Sequence, residues 1–221
     1  MADVVWRLTR VLAYSTALTA LLAGSALYYF QRSLIYPASM MRSRLDVPTP
    51  DSLDLDDCDW RQETLHSGLD RVEIRAFVLL HKKDTGDREK QARRPTVLLL
   101  HANAGNMGHR LPLASVFHLR MGANVVLLSY RGYGHSKGSP SEQGIEQDAD
   151  AAMAFIKTHP VLGDRSAFDG QPKIILYGQS LGGAVATYVA RKYTDDVRAV
   201  VLENTFTSLV RTATLSCLRP R

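Results

Sequence analysis

Lys173-Ile174-Ile175-Leu176-Tyr177-Gly178-Gln179-Ser180-Leu181-Gly182-Gly183 opens the stretch whose reading decides the fold, and it continues as AVATYVARKY to Tyr193. A short run of apolar β-formers, Ile174 to Tyr177, passes through a glycine-rich turn into a segment rich in Ala and Val at helical spacing. A serine is thereby held where a strand gives way to a helix. That context separates a nucleophile elbow from a chance G-x-S-x-G match. Glycines at 178 and 182 leave room where strand and helix pass close together, so Ser180 can take a strained conformation with its hydroxyl at the top of a sheet. The N–H of Leu181, at a helix start, points toward any oxyanion that develops there. The plain alternative is a glycine-rich turn with a capping serine.

Working outward, Thr96 to Leu100 is a continuous apolar run suited to a strand buried on both faces. It ends in His101-Ala102-Asn103-Ala104-Gly105-Asn106, and the spacing of Leu113, Val116 and Phe117 predicts a helix that stops at Gly122. Asn124 to Ser129 repeats the strand signal, with the loop Tyr130-Arg131-Gly132-Tyr133-Gly134 at its end. Ile145, Ala149, Ala152 and Ile156 share one helical stripe that stops before Pro160, and Arg198 to Leu202 supplies one more strand. Earlier in the chain, strand-like runs at Glu63 to His66 and Val72 to Leu80 are parted by the turn signal Ser67-Gly68-Leu69-Asp70. Lys82 to Arg94 reads as a solvated, charge-dense loop. This alternation predicts an α/β fold with a mostly parallel sheet, its ligands at the carboxyl ends of the strands. A dinucleotide binder would need G-x-G-x-x-G at the first βα turn, and none is there.

Residues 11–30 carry no charge and would span about 30 Å as a helix, enough for a bilayer core. The run exceeds a signal-peptide core and continues into Tyr28-Tyr29-Phe30, so it reads as an uncleaved, single-pass signal anchor behind a short tail of residues 1–10. A cleaved signal peptide and a buried core helix are the alternatives. Arg7 and Arg10 before it nearly balance Arg32, Arg42 and Arg44 after it, which leaves orientation open between the two sides of an endoplasmic reticulum or plasma membrane. Residues 31–60, with three prolines and an acidic cluster from Asp51 to Asp59, read as a linker to a domain at 61–206. The formal net charge of +5 over 221 residues is scattered, without zinc-ligand spacing or an aromatic-basic RNA-binding string, which argues against nucleic acid as a partner and points to no metal or cofactor. Cys58 and Cys217 are too few for a disulfide framework.

Four motifs in order, the segments His101 to Asn106, Tyr130 to Gly134, Gly178 to Gly183 and Glu203-Asn204-Thr205-Phe206, together with the preceding anchor, resemble the membrane-bound α/β-hydrolase-domain proteins of the fungal Bem type. The resemblance covers roughly residues 28–209. It implies an α/β-hydrolase fold and a serine hydrolase in which the N–H groups of Asn103 and Leu181 form the oxyanion hole. Ser180 would attack the carbonyl of an acyl ester, a thioester such as a palmitoylated protein, or an amide. Ala102 stands where many relatives of the wider fold carry glycine, and His101 is structural at this position in the family.

One departure from that pattern is large. In this fold the triad runs Ser, then Asp or Glu, then His, yet only 41 residues follow Ser180 and all seven histidines precede it. Glu203, at the end of the strand after the elbow, is a candidate acid, and Asp195 and Asp196 lie before that strand. His101 or His135 would have to substitute as base from upstream. The sheet is expected to be incomplete after Leu202, leaving an apolar edge, and residues 207–221 form a divergent tail with three arginines and no acid. A truncated form of a longer hydrolase accounts for both features. The alternative is a membrane-anchored, catalytically inactive relative that binds an acyl ligand or a protein partner.

Overall fold

The computed structural model describes residues 1–36, 44, 46–53 and 57–206. The tail 207–221, Cys217, Arg42 and the middle of the expected linker lie outside the described residues. Two compact units divide the chain, Met1–Pro37 and Ala38–Arg221.

The first unit is a single helix, α1 (Ala2–Ile35), which extends beyond the expected 11–30 in both directions and takes in Arg7, Arg10 and Arg32. Its hydroxyl side chains bond back into the helix, as Thr16 Oγ1 does to Leu12 O at 2.8 Å and Thr19 Oγ1 to Ser15 O at 2.9 Å. Such back-bonding satisfies these hydroxyls without water, which suits a helix in hydrocarbon. By length and composition this is the one helix among the described residues that could cross a membrane.

The second unit is an α/β domain. Its elements run β1 (Cys58–Ser67), β2 (Val72–His81), α2 (Arg88–Ala92), β3 (Thr96–Leu100), α3 (Leu111–Ser115), β4 (Asn124–Ser129), α4 (Glu142–Thr158), β5 (Ile174–Gln179), α5 (Leu181–Lys192) and β6 (Val197–Glu203). The strand order is β1-β2-β4-β3-β5-β6. β1 and β2 form an antiparallel hairpin, β2 pairs antiparallel with β4, and β4, β3, β5 and β6 are parallel. Continuous apolar runs mark the inner strands because helices cover both their faces. Phe77, Leu99, Val125 and Leu127 meet Leu111, Ala114 and Phe117 on one side, and α4 packs with α5 on the other. Each such Phe, Leu or Val side chain contributes about 1.5–3 kcal/mol on burial. Leu100 pairs with Gly178, so the chain's move from β3 out to β4 and back across to β5 places a topological switch point at the carboxyl ends of β3 and β5.

Three local readings are corrected. Residues expected in the linker belong to the domain: Val47, Leu53, Cys58 and Trp60 pack on the core, Trp60 meets Phe77 edge-on at 5.5 Å, and its indole N–H donates to Asp51 at 2.8 Å. The domain therefore takes up chain ahead of Arg61, and the acidic cluster is in part a set of acceptors. Within Lys82 to Arg94, Asp87 caps α2 by accepting from the Lys90 N–H at 3.0 Å, which organises a helix where a loop was expected. Helix α3 gives way to a π turn over Val116–Arg120, leaving Val116 exposed instead of on the buried stripe. The extra residue turns His118 inward, where its ring nitrogens face Ala123 O and Asp57 O at 3.2 Å and its ring stacks on His81 at 3.8 Å.

β6 forms an edge among the described residues. Val200, Val201 and Leu202 on it are 39, 43 and 46% exposed.

Candidate active site

β5 and α5 meet at Ser180, whose φ of +52° and ψ of −114° no β-branched or bulky residue adopts cheaply. Such strain persists only where the surroundings over-determine it. Here the Ser180 N–H donates to Glu203 O at 2.9 Å, and Ser180 O accepts from the Gly183 N–H at 2.9 Å and from Thr205 Oγ1 at 3.0 Å. The glycines at 178 and 182 are close-approach positions. A Cβ on Gly178 would drive into the Gly182 carbonyl, and one on Gly182 into the Leu100 carbonyl. Helix α5 therefore begins tight against the end of β3. The Leu181 N–H lies in the first turn of α5, where an amide has no intrahelical acceptor.

The loop that leaves β3 carries Asn103, fixed by the Tyr133 hydroxyl donating to Asn103 Oδ1 at 2.6 Å. Asn106, fully buried, accepts from the Gly108 and His109 N–H groups at 2.9 and 3.2 Å and donates to Asp46 O at 2.8 Å. The Tyr130 to Gly134 loop is clamped in turn by a buried pair, Arg131 and Asp148. Arg131 Nε and N–H reach Asp148 at 3.0 and 2.6 Å, and Ser67 Oγ donates to the same carboxylate at 2.5 Å. Sequence reading missed this clamp, although a carboxylate on the buried stripe of α4 beside Ala149 was its signal.

His101 is fully buried, its Nδ1 facing Ala102 O at 2.7 Å and its Nε2 accepting from the Tyr130 N–H at 3.4 Å. Burial pushes its pKa down to about 3, so both nitrogens are engaged in a neutral ring that cannot serve as base. His135 is exposed in the loop after β4. Among the described residues Ser180 Oγ has no hydrogen-bond partner, and no imidazole meets Glu203. The Glu203 carboxylate instead accepts from Gln179 Nε2 at 2.9 Å. Asp196 lies at the opposite, amino end of β6, paired with Lys157 at 2.6 Å and Arg165 at 3.5 Å, away from the serine. Cys58 is an inert thiol, pushed up to about 12 by burial.

A strained serine at a strand-to-helix turn, at the switch point of a mostly parallel sheet, defines the hydrolase class of α/β proteins. The family model described as the alpha/beta hydrolase fold matches residues 95–217, more than half of the chain, and the chain belongs to that family. The match runs past Leu209, where the resemblance was expected to end. Within the family the similarity is to the fungal Bem type. Protein bem46 of Schizosaccharomyces pombe is 40% identical over 203 residues, which cover 90% of this chain and 62% of that protein. The uncharacterized membrane protein YNL320W of Saccharomyces cerevisiae is 34% identical over 92% of this chain and 65% of its own. The chain thus spans less than two thirds of the length of these relatives. The lysophosphatidylserine lipase ABHD12 of Danio rerio is 36% identical over 56% of this chain and 31% of its own. Among solved structures, an α/β hydrolase from Vibrio vulnificus aligns with a TM-score of 0.63 at 20% identity, over 88% of this chain and 63% of that one. The esterase Pf2001 of Pyrococcus furiosus aligns at 0.56 and 19%, over 83% of this chain and 64% of its own. At that identity both speak to the fold.

Proposed function

We propose that the full-length protein is a membrane-anchored serine hydrolase that cleaves acyl esters or thioesters of membrane-associated substrates, with Ser180 as nucleophile. The observation that carries this reading is the left-handed φ of Ser180, tied down by two backbone hydrogen bonds, a third from the Thr205 hydroxyl and two close-approach glycines. Arg71 and Asp169 take a similar φ in ordinary turns, but at Ser180 it falls at a strand-to-helix junction between close-approach glycines, where it presents Oγ to a ligand at the carboxyl end of the sheet. In the proposed reaction Ser180 Oγ bonds to the acyl carbon while its proton passes to an imidazole base. Negative charge then gathers on the carbonyl oxygen between the N–H groups of Asn103 and Leu181. Collapse expels the alcohol or thiol with that proton, and water releases the acid by the same route. Loss of one oxyanion donor raises such a barrier by about 3 kcal/mol.

Because both nitrogens of His101 are engaged, the base is assigned to the part of the relatives' length that this chain does not span. Glu203 is assigned a positioning role through Gln179 and the Ser180 amide. An ester of lipid type is favoured by a relative named a lysophosphatidylserine lipase, and a membrane site by one named a membrane protein and by α1 as single-pass anchor. A palmitoylated protein fits the same chemistry. A second reading, an inactive relative that binds an acyl ligand, is favoured by the absence of a hydrogen-bond partner for Ser180 Oγ among the described residues. Labelling of the native protein by a fluorophosphonate separates the two, since that probe needs an activated hydroxyl. Label lost on Ser180→Ala supports the hydrolase, and no label on folded native protein supports the binder.

A further inference from the structure

Arg110 is a cation that the reaction above does not use. It closes a short turn, Gly108–Arg110, at the end of the loop that carries Asn103. A Cβ on Gly105 would lie 3.9 Å from its Nη2, and its charge is felt by His101 and feels Tyr130 and Glu203. Those neighbours come from the ends of β3, β4 and β6, the rim of the sheet that holds Ser180. The guanidinium is half-buried, and its Nε is shut off from solvent without an acceptor. Other arginines drawn into the domain hold carboxylates: Arg94 reaches Asp84 at 2.6 Å and Arg131 reaches Asp148 at 3.0 Å. Arg110 makes no ion pair among the described residues, and the carboxylate that it feels, Glu203, is already engaged by Gln179.

A charged donor buried without a partner is costly, and a ligand that supplies the acceptor recovers that cost. A guanidinium fork matches the oxygens of a phosphate in a way that neither water nor a neutral hydroxyl reproduces. We propose that Arg110 is a specificity-determining residue that receives an anionic phosphate on the leaving-group side of the scissile ester, selecting acyl esters of phosphorylated alcohols over neutral ones. This deepens the proposed hydrolase and rests on Ser180 being its nucleophile.

Two measurements on the full-length protein test it. The first compares kcat/KM for 1-oleoylglycerol 3-phosphate and for 1-oleoylglycerol in the wild type, Arg110→Gln and Arg110→Lys. The expected result is a preference for the phosphate ester that falls about 10- to 100-fold in Arg110→Gln, mainly through KM, and is partly restored in Arg110→Lys. An unchanged ratio, with both substrates losing rate together, would assign Arg110 a structural role and overturn the proposal. The second is calorimetric titration with glycerol 3-phosphate, which does not depend on turnover. Binding by the wild type and Arg110→Lys but not by Arg110→Gln supports the subsite, and no binding, or equal binding by all three, overturns it. If the wild type hydrolyses neither ester, the hydrolase reading falls, and the titration still decides the anion subsite.

Discussion

The amide of Ser180 donates to the carbonyl of Glu203 over 2.9 Å, so the strained turn at the end of β5 is fastened to the end of the next strand in the sheet. The Glu203 side chain reinforces that link through Gln179. Its backbone holds the serine's conformation, and its carboxylate holds the neighbour.

Glu203→Gln therefore separates positioning from catalysis. An amide oxygen still accepts from Gln179, so phosphonate labelling of the full-length protein is expected to slow by no more than about fivefold, the effect of one altered neutral hydrogen bond. A triad acid replaced by its amide costs about 10⁴ in rate. A loss of that size would return Glu203 to the acid's role.

Gly182→Ala tests the tight start of α5. The added methyl meets the Leu100 carbonyl, backbone that cannot swing aside, so α5 must shift from β3. Overpacking of this kind costs about 1–3 kcal/mol, and the shift also moves the Leu181 N–H. Urea denaturation is expected to show the lower midpoint, and labelling is expected to fall further than stability does.

The clamp on the Tyr130 to Gly134 loop gives a double-mutant test. Asp148→Ala removes the buried carboxylate from Arg131 and leaves it only the exposed Asp70 at 3.3 Å, a loss of about 3 kcal/mol. Replacing both, as Arg131→Met with Asp148→Leu, is expected to recover most of it. Additive losses in the denaturation midpoints would show that the two do not act as a pair.

Acid is expected to weaken the domain through His101. Its pKa falls from 6.5 to about 3 on burial, and burial also lowers His118 and His159. The unfolded chain then binds protons that the native one refuses, so stability is full above pH 6.5 and declines as pH drops toward about 3. The decline is of the order of a few kcal/mol. Denaturant midpoints between pH 7 and pH 4 measure it, and His101→Gln is expected to flatten the slope.

The inner strands and the elbow were legible because their signals are local. Thr96 to Leu100 and Asn124 to Ser129 carry the unbroken apolar runs 97–100 and 125–128, and both strands occupy the expected limits. The Gly178 to Gly183 turn announced its strain through glycines that the close approach of α5 to β3 requires. What stayed hidden depends on partners distant in sequence. Asp57 reads as part of an acidic tether until it meets His81 at 3.1 Å and the backbone of Lys83 at 2.8 Å. Trp60 ends a linker on composition alone, and becomes core only against Phe77. The inward turn of His118 breaks a helical stripe for hydrogen bonds that no periodicity records. Arg110 was silent for the same reason, since an unmet donor is visible only once its neighbours are in place.

The most direct measurement is intact and peptide mass spectrometry of the native protein, extracted from membranes and treated with a fluorophosphonate. The expected result is one phosphonate adduct, carried on the Ile174 to Arg191 peptide and abolished by Ser180→Ala. A folded, membrane-extracted protein that takes no adduct, or takes it on another peptide, would contradict the assignment of Ser180 as nucleophile.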